Sequence, residues 1–233
     1  MVTVRLGAVI AAVGLGVATV SAGSIGQVET PTPASIVDRF LAPDREPLVS
    51  YRAFRRLTAS TRGGRLQAAV EAWTTLDPAK GFDFEVTAKE GSSVIQRRVL
   101  IAALEAEQKA VSSPDAAQAA LTRANYEFLG ISDDRDNLTK VDIKPRRKHV
   151  MLIDGSLFLA DDSADLVRVE GELSRRPSFW TRRVRIVREY ARIEGVHVPV
   201  AMRSTADVLV VGPSSFAMSY RYVEINGRTV TAH

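Results

Sequence analysis

The 233-residue sequence predicts an α+β fold: a strongly curved antiparallel sheet, an unclosed β-barrel, with inserted helices capping its concave face. Three observations lead there. Strand-like segments follow one another through short turns, which builds an antiparallel meander and not βαβ units. Several of these segments carry apolar residues on both parities, so each face of the sheet needs cover. A helical insertion over about 93–124 interrupts the strands and supplies cover for one face.

The chain starts with "MVTVRLGAVIAAVGLGVATVSAGS", in which one charge, Arg5, precedes an apolar or small run from Leu6 to Val20. Val20-Ser21-Ala22 then fits the small-x-small rule for signal-peptidase cleavage. The run is short for a membrane span, and no stop-transfer charges follow it. The expectation is a signal peptide over 1–22, cleaved near Ala22, and an exported, periplasmic mature chain that forms one domain over 23–233. There is no cysteine, hence neither a lipidated cysteine nor a disulfide. With 45% hydrophobic and 25% charged residues the composition is that of a globular chain. The net charge of +4 and pI of 9.6 are basic, yet the arginines are scattered among carboxylates and no nucleic-acid motif accompanies them. Nucleic acid is therefore not an expected partner.

The elements follow in order. "ETPTPASIVDRFLAP" is a short helix, with Pro33 in its first turn and Pro43 as its stop. "SYRAFRRLTASTRGGRLQAAVEAWTTL" is a hairpin around Gly63-Gly64, a pair suited to a primed turn. That turn sets Leu57 against Val70, Arg56 against Glu71 and Phe54 against Trp73. "DPAKG" is a further turn. A four-residue loop there places Phe84 and Val86 on the face of Phe54 and Trp73. Ser93 and Gln96 suggest a capping box before "VIQRRVLIAALEAEQKAV", and Ser113-Pro114 suggests a second helix start. Strands resume at Tyr126, with hairpin signals at Asp154-Gly155, Glu194-Gly195 and Gly212-Pro213. Within "RRVRIVREYARI", Val184, Ile186 and Tyr190 share one parity while Val187, Ala191 and Ile193 share the other.

Catalytic candidates are thin, and the expectation is that the protein is not an enzyme. His149, His197 and His233 lack partners at metal-ligand spacing, and His197 is expected at the surface. "DDRDN" and "DDSAD" lack the glycine and closing glutamate of a calcium loop and suggest solvated turns. No metal and no cofactor is expected. The aromatic and methionine set carries more weight. Phe54, Trp73, Phe84, Val86 and Phe158 from the strands are candidate lining residues of an apolar cavity between sheet and helices. Ile95 and Val99 from the helix join them, as do Trp180, Phe216 and Met218. Burying an acyl chain there gains about 0.8 kcal/mol per CH₂.

Two stretches, "YRAFRRLTASTRGGRLQAAVEAW" and the run from "GSLFLADDSADLVRVEGEL" to "YRYVEING", resemble the LolA-like lipoprotein and lipid carriers. The resemblance implies an unclosed β-barrel with helices as a lid over a hydrophobic cavity that receives acyl chains. It implies lipid or lipoprotein acyl chains as ligand, membrane-associated donor and acceptor proteins as partners, and a monomer. In that family an arginine near the first strand latches the lid. Arg52, Arg55 and Arg56 all stand there; Arg52 and Arg56 are the candidates, although Glu71 is the expected cross-strand partner of Arg56. The family's Arg-Pro-containing strand before the helices is replaced by "FDFEVTAKEG", which favours general apolar-ligand binding over strict lipoprotein transfer. An envelope interaction module using the same half-barrel is the alternative.

Overall fold

The computed structural model describes residues 35–42, 46–111, 119–176, 181–209 and 212–231. The signal-peptide expectation, the helix start at Ser113-Pro114 and the cavity candidate Trp180 lie outside them. The chain runs through α1 (Ile36–Leu41), then β1 (Tyr51–Thr61), β2 (Leu66–Asp77) and β3 (Gly81–Gly91). A helix over 93–111 follows, and then β4 (Tyr126–Asp134), β5 (Leu138–Pro145), β6 (Ile153–Ala160) and β7 (Leu166–Leu173). β8 (Thr181–Ile193), β9 (Val196–Val208), β10 (Gly212–Ile225) and β11 (Arg228–Thr229) complete it.

All eleven strands belong to one antiparallel sheet, ordered β3-β2-β1-β10-β9-β8-β7-β6-β5-β4, with β11 beside β10. Its two outer strands, β3 and β4, do not pair with each other, so the barrel stays open. β4 carries a bulge between Phe128 and Ile131, which disturbs its free edge.

The first hairpin has the register its sequence predicts: Leu57 opposes Val70, Arg56 opposes Glu71 and Phe54 opposes Trp73. Gly63 and Gly64 both take positive φ, as the primed turn requires, and the Arg65 N–H closes it onto the Arg62 carbonyl. The next turn differs from expectation. Asp77 pairs with Gly81 across three residues, and the Asp77 carboxylate accepts from the Ala79 and Lys80 N–H groups. This shorter loop sets Phe82 against Leu76, Phe84 against Thr74 and Val86 against Ala72. Phe84 and Val86 therefore lie on the face opposite Trp73.

The helix over 93–111 joins α2 (Ser93–Ile95), a π-helical segment (Gln96–Ile101) and α3 (Ala102–Val111). There is no capping box: Ser92 is the N-cap without a side-chain bond, and the Gln96 side chain donates to the Gly91 carbonyl. Ile95, Leu100, Ala103 and Leu104 are its buried residues, and it rests on β1, β2 and β3. The strand face beneath, here the inner face, contributes Leu57, Val70 and Ala72, all fully buried. Each large apolar side chain so covered stabilises the fold by about 1.5–3 kcal/mol. Ahead of β4, the Asn125 side chain donates to the Ala120 carbonyl and the Tyr126 N–H to that of Thr122.

Asp154-Gly155 makes no turn; both residues lie within β6. Gly155 faces Gly171 of β7, and a Cβ on it would come within 2.1 Å of the Glu170 carbonyl oxygen. The glycine is there for close approach of two strands, a use that a dipeptide rule does not distinguish from a turn. Glu194-Gly195, by contrast, does turn β8 into β9, both residues at positive φ.

Candidate functional site

Along β1 the buried parity is Tyr51, Ala53, Arg55, Leu57 and Ala59. Arg55 is thus directed by strand alternation toward the helix, not toward solvent. Its guanidinium is 1% exposed and holds the carboxylate of Glu107, on α3, through a bidentate contact: Nη1 to Oε2 at 2.7 Å and Nη2 to Oε1 at 3.0 Å. Nη2 also donates to the Tyr51 hydroxyl, and Nη1 reaches the Met218 sulfur at 3.9 Å. The rings of Tyr220, Phe82 and Tyr51 lie 4.4, 5.2 and 5.6 Å from the guanidinium carbon. Nε, also buried, has no hydrogen-bond partner.

A second buried arginine belongs to the same neighbourhood. Arg188 of β8, on the parity of Val184, Ile186 and Tyr190, is 5% exposed and contacts the Met202 sulfur at 3.5 Å. Burial alone disfavours the charged form of Arg188, but Tyr190, Tyr220 and Glu107 outweigh it, and its pKa stands above the usual arginine value. Arg55 behaves alike: burial opposes its charge, and Glu107, Tyr220 and Tyr51 more than restore it. Tyr222 stacks on Tyr220 at 6.0 Å and meets Tyr51 edge-on at 5.6 Å, while its hydroxyl donates to the Pro199 carbonyl. The inner face beneath α3 is therefore a cationic, phenol-lined patch set in an apolar surround. An apolar lining was expected from the sequence, and the two buried arginines come in addition to it.

Of the predicted cavity residues, Phe84, Val86, Phe216 and Met218 lie on the inner face, and Ile95 and Val99 on the helix that covers part of it. Three others belong elsewhere. Phe54 and Trp73 form an edge-to-face pair at 5.4 Å on the outer face, flanked by Arg221 over Phe54 and Arg52 over Trp73. Phe158 is also on the outer parity, opposite Arg168, whose guanidinium lies 3.8 Å from its ring. Neither candidate latch reaches the helix. Arg52 lies on Trp73, and Arg56 pairs with Glu71 and, at 3.8 Å, with Glu90. Both occupy the exposed parity of β1, whereas the intervening Arg55 points inward.

His197 is not a surface residue: its side chain is 11% exposed, with Nε2 3.5 Å from Asp165 Oδ1. Asp165, at the end of "DDSAD", also receives Arg192 at 2.8 and 2.5 Å. Among the described residues no cluster of histidine and carboxylate side chains is suited to a metal ion, and no helix is long and apolar enough to cross a membrane.

No family model matches the sequence, and no curated protein matches it. Solved structures do match. The chain is similar to a putative outer membrane lipoprotein-sorting protein domain from Vibrio parahaemolyticus, at 10% identity and a TM-score of 0.41, over 80% of this chain and 90% of that one. It is similar to a LolA superfamily protein from Nitrosomonas europaea, at 12% identity and a TM-score of 0.36, over 80% and 90% of the two chains. A DUF1329 family protein from Desulfovibrio piger matches at 10% identity and a TM-score of 0.38, over 75% and 84%. The likeness is one of fold.

Proposed function

We propose that the protein is a non-enzymatic carrier or sensor that receives acyl chains of a lipid or lipoprotein between the inner face of its sheet and the helix over 93–111. In this proposal residues 1–22 direct export and are removed near Ala22, and the mature chain works as one domain in the periplasm. Membrane-associated proteins deliver and accept the ligand.

One observation carries the proposal: a bidentate ion pair, Arg55 to Glu107, fastens the covering helix to the first strand. Ile95, Leu100, Ala103 and Leu104, the helix's buried residues, are apolar, so around that ion pair the helix offers a hydrocarbon surface that an acyl chain matches in kind. Arg55 is the latch in this account, Glu107 its catch. Phe84, Val86, Phe216 and Met218 supply the floor, and Ile95 and Val99 belong to the cover.

Native mass spectrometry of protein taken gently from the periplasm tests it. Extra mass equal to one or more lipid molecules is the expected result, and Leu100→Asp should lose that mass. Wild-type protein that carries no lipid, and takes none up from vesicles, would remove the carrier proposal.

A further inference from the structure

The carrier proposal is silent on the ligand's polar end, and the Arg55 cluster speaks to it. Arg55 and Arg188 place two guanidiniums in the interior, and the phenol groups of Tyr51, Tyr190, Tyr220 and Tyr222 stand around them. Glu107 meets Arg55 with both oxygens, the geometry with which arginine grips carboxylates and phosphates generally. Three features make Glu107 the exchangeable member of this pair. It is 15% exposed against 1% for Arg55, it belongs to the covering helix and not to the sheet, and its two oxygens leave the buried Nε–H of Arg55 without an acceptor. Nε–H is thus a buried donor still available to an incoming anion.

We propose that Glu107 occupies the seat of an anionic head group, and that the ligand is an acylated anion whose phosphate or carboxylate displaces Glu107 from Arg55. This rests on the carrier proposal and deepens it. The head group replaces the helix's carboxylate at the guanidinium, so loading the ligand and releasing the helix are one exchange. The charge of Arg55 remains compensated throughout, which matters because a buried guanidinium stripped of its anion is strongly destabilising. A neutral lipid has the tail to enter but nothing to displace Glu107.

The test measures displacement of a fluorescent acyl probe from the full mature chain. Its ligands are lysophosphatidate, palmitate, monoacylglycerol, palmitate methyl ester and inorganic phosphate. Wild-type protein should bind the two acyl anions about ten-fold more tightly than their neutral counterparts, the scale of a charge-assisted hydrogen bond. Glu107→Gln removes the competing charge and weakens the latch, so it should tighten the anions several-fold more than it tightens the neutral lipids. Arg55→Gln should bring the charged and neutral ligands together. Should that variant fail to fold, the Glu107→Gln and wild-type arms still decide. Equal affinity for charged and neutral lipids in the wild type, with Glu107→Gln without effect, overturns the head-group seat and leaves the carrier proposal standing. Inorganic phosphate that binds by calorimetry in an Arg55-dependent way, while neither the probe nor any acyl ligand binds, upholds the seat and overturns the carrier. If no ligand binds at all, both fall.

Discussion

At the scale of single residues, the interior of this protein is defined by what its phenols and guanidiniums do for one another. Burial pushes the Tyr220 hydroxyl up to about 12; Arg55 pulls against that shift, and Glu107 adds to it. Tyr126 is likewise raised to about 12 by burial, offset in part by the Ile153 N–H that donates to its oxygen. The unfolded chain ionises its tyrosines near pH 10. Both folded values lie above the unfolded one, so the stability these phenols contribute is complete below a pH of about 10 and is lost as pH climbs toward 12. Urea midpoints should therefore hold steady at neutral pH and drop in that alkaline window, in step with phenolate absorbance. A midpoint that is flat through the window would show these tyrosines to be solvated. Arg55 was legible in principle. It falls on the parity of Leu57 and Ala59, and Glu107 lies one helical turn beyond Ala103 and Leu104. Proximity to the first strand names Arg52, Arg55 and Arg56 alike, and strand parity is what separates Arg55 from the other two.

At the scale of elements, local turn chemistry decided which forecasts held. Gly63-Gly64 and Glu194-Gly195 satisfy a positive-φ requirement, and their hairpins form as expected. Asp154-Gly155 meets the same dipeptide rule but answers a different need, the contact of β6 with β7 at Gly155 and Gly171. A single residue in the "DPAKG" loop changed the face of Phe84 and Val86, because side-chain direction along a strand has period two. Gly171→Ala should destabilise the fold by about 1–3 kcal/mol, since its Cβ would lie 2.3 Å from the Asp154 carbonyl oxygen. Gly130→Ala should stay within about 0.5 kcal/mol, its nearest neighbour being a side-chain oxygen at 3.8 Å. Denaturant melts of the two variants check the contrast, and equal losses would refute it. Leu100→Ala, which empties a fully buried site under the helix, should cost about 2–5 kcal/mol by the same measurement.

At the scale of the whole molecule, the helix over 93–111 is held by few groups, while each strand of the sheet is held along its length. Native-state amide exchange should therefore show 93–111 opening ahead of β1 and β10. Glu107→Ala should speed exchange in 93–111 and leave the centre of the sheet slow. Uniform protection across helix and sheet would mean that the helix is no separate unit. The broad architecture was readable from sequential turns and from strands apolar on both parities. The strand order was not: β1 pairs with β10, a partnership between Tyr51–Thr61 and Gly212–Ile225 that no local pattern announces.

That pairing has a consequence for how the chain is made. The β1–β3 meander leaves the ribosome early, yet the side of β1 facing away from β2 waits for more than half the sequence before its neighbour is synthesised. Until then it presents an unmatched ladder to any other chain, and contacts so distant in sequence form slowly. Productive assembly is thus governed by the arrival of the last long strand, and newly made copies need to be kept apart until it arrives.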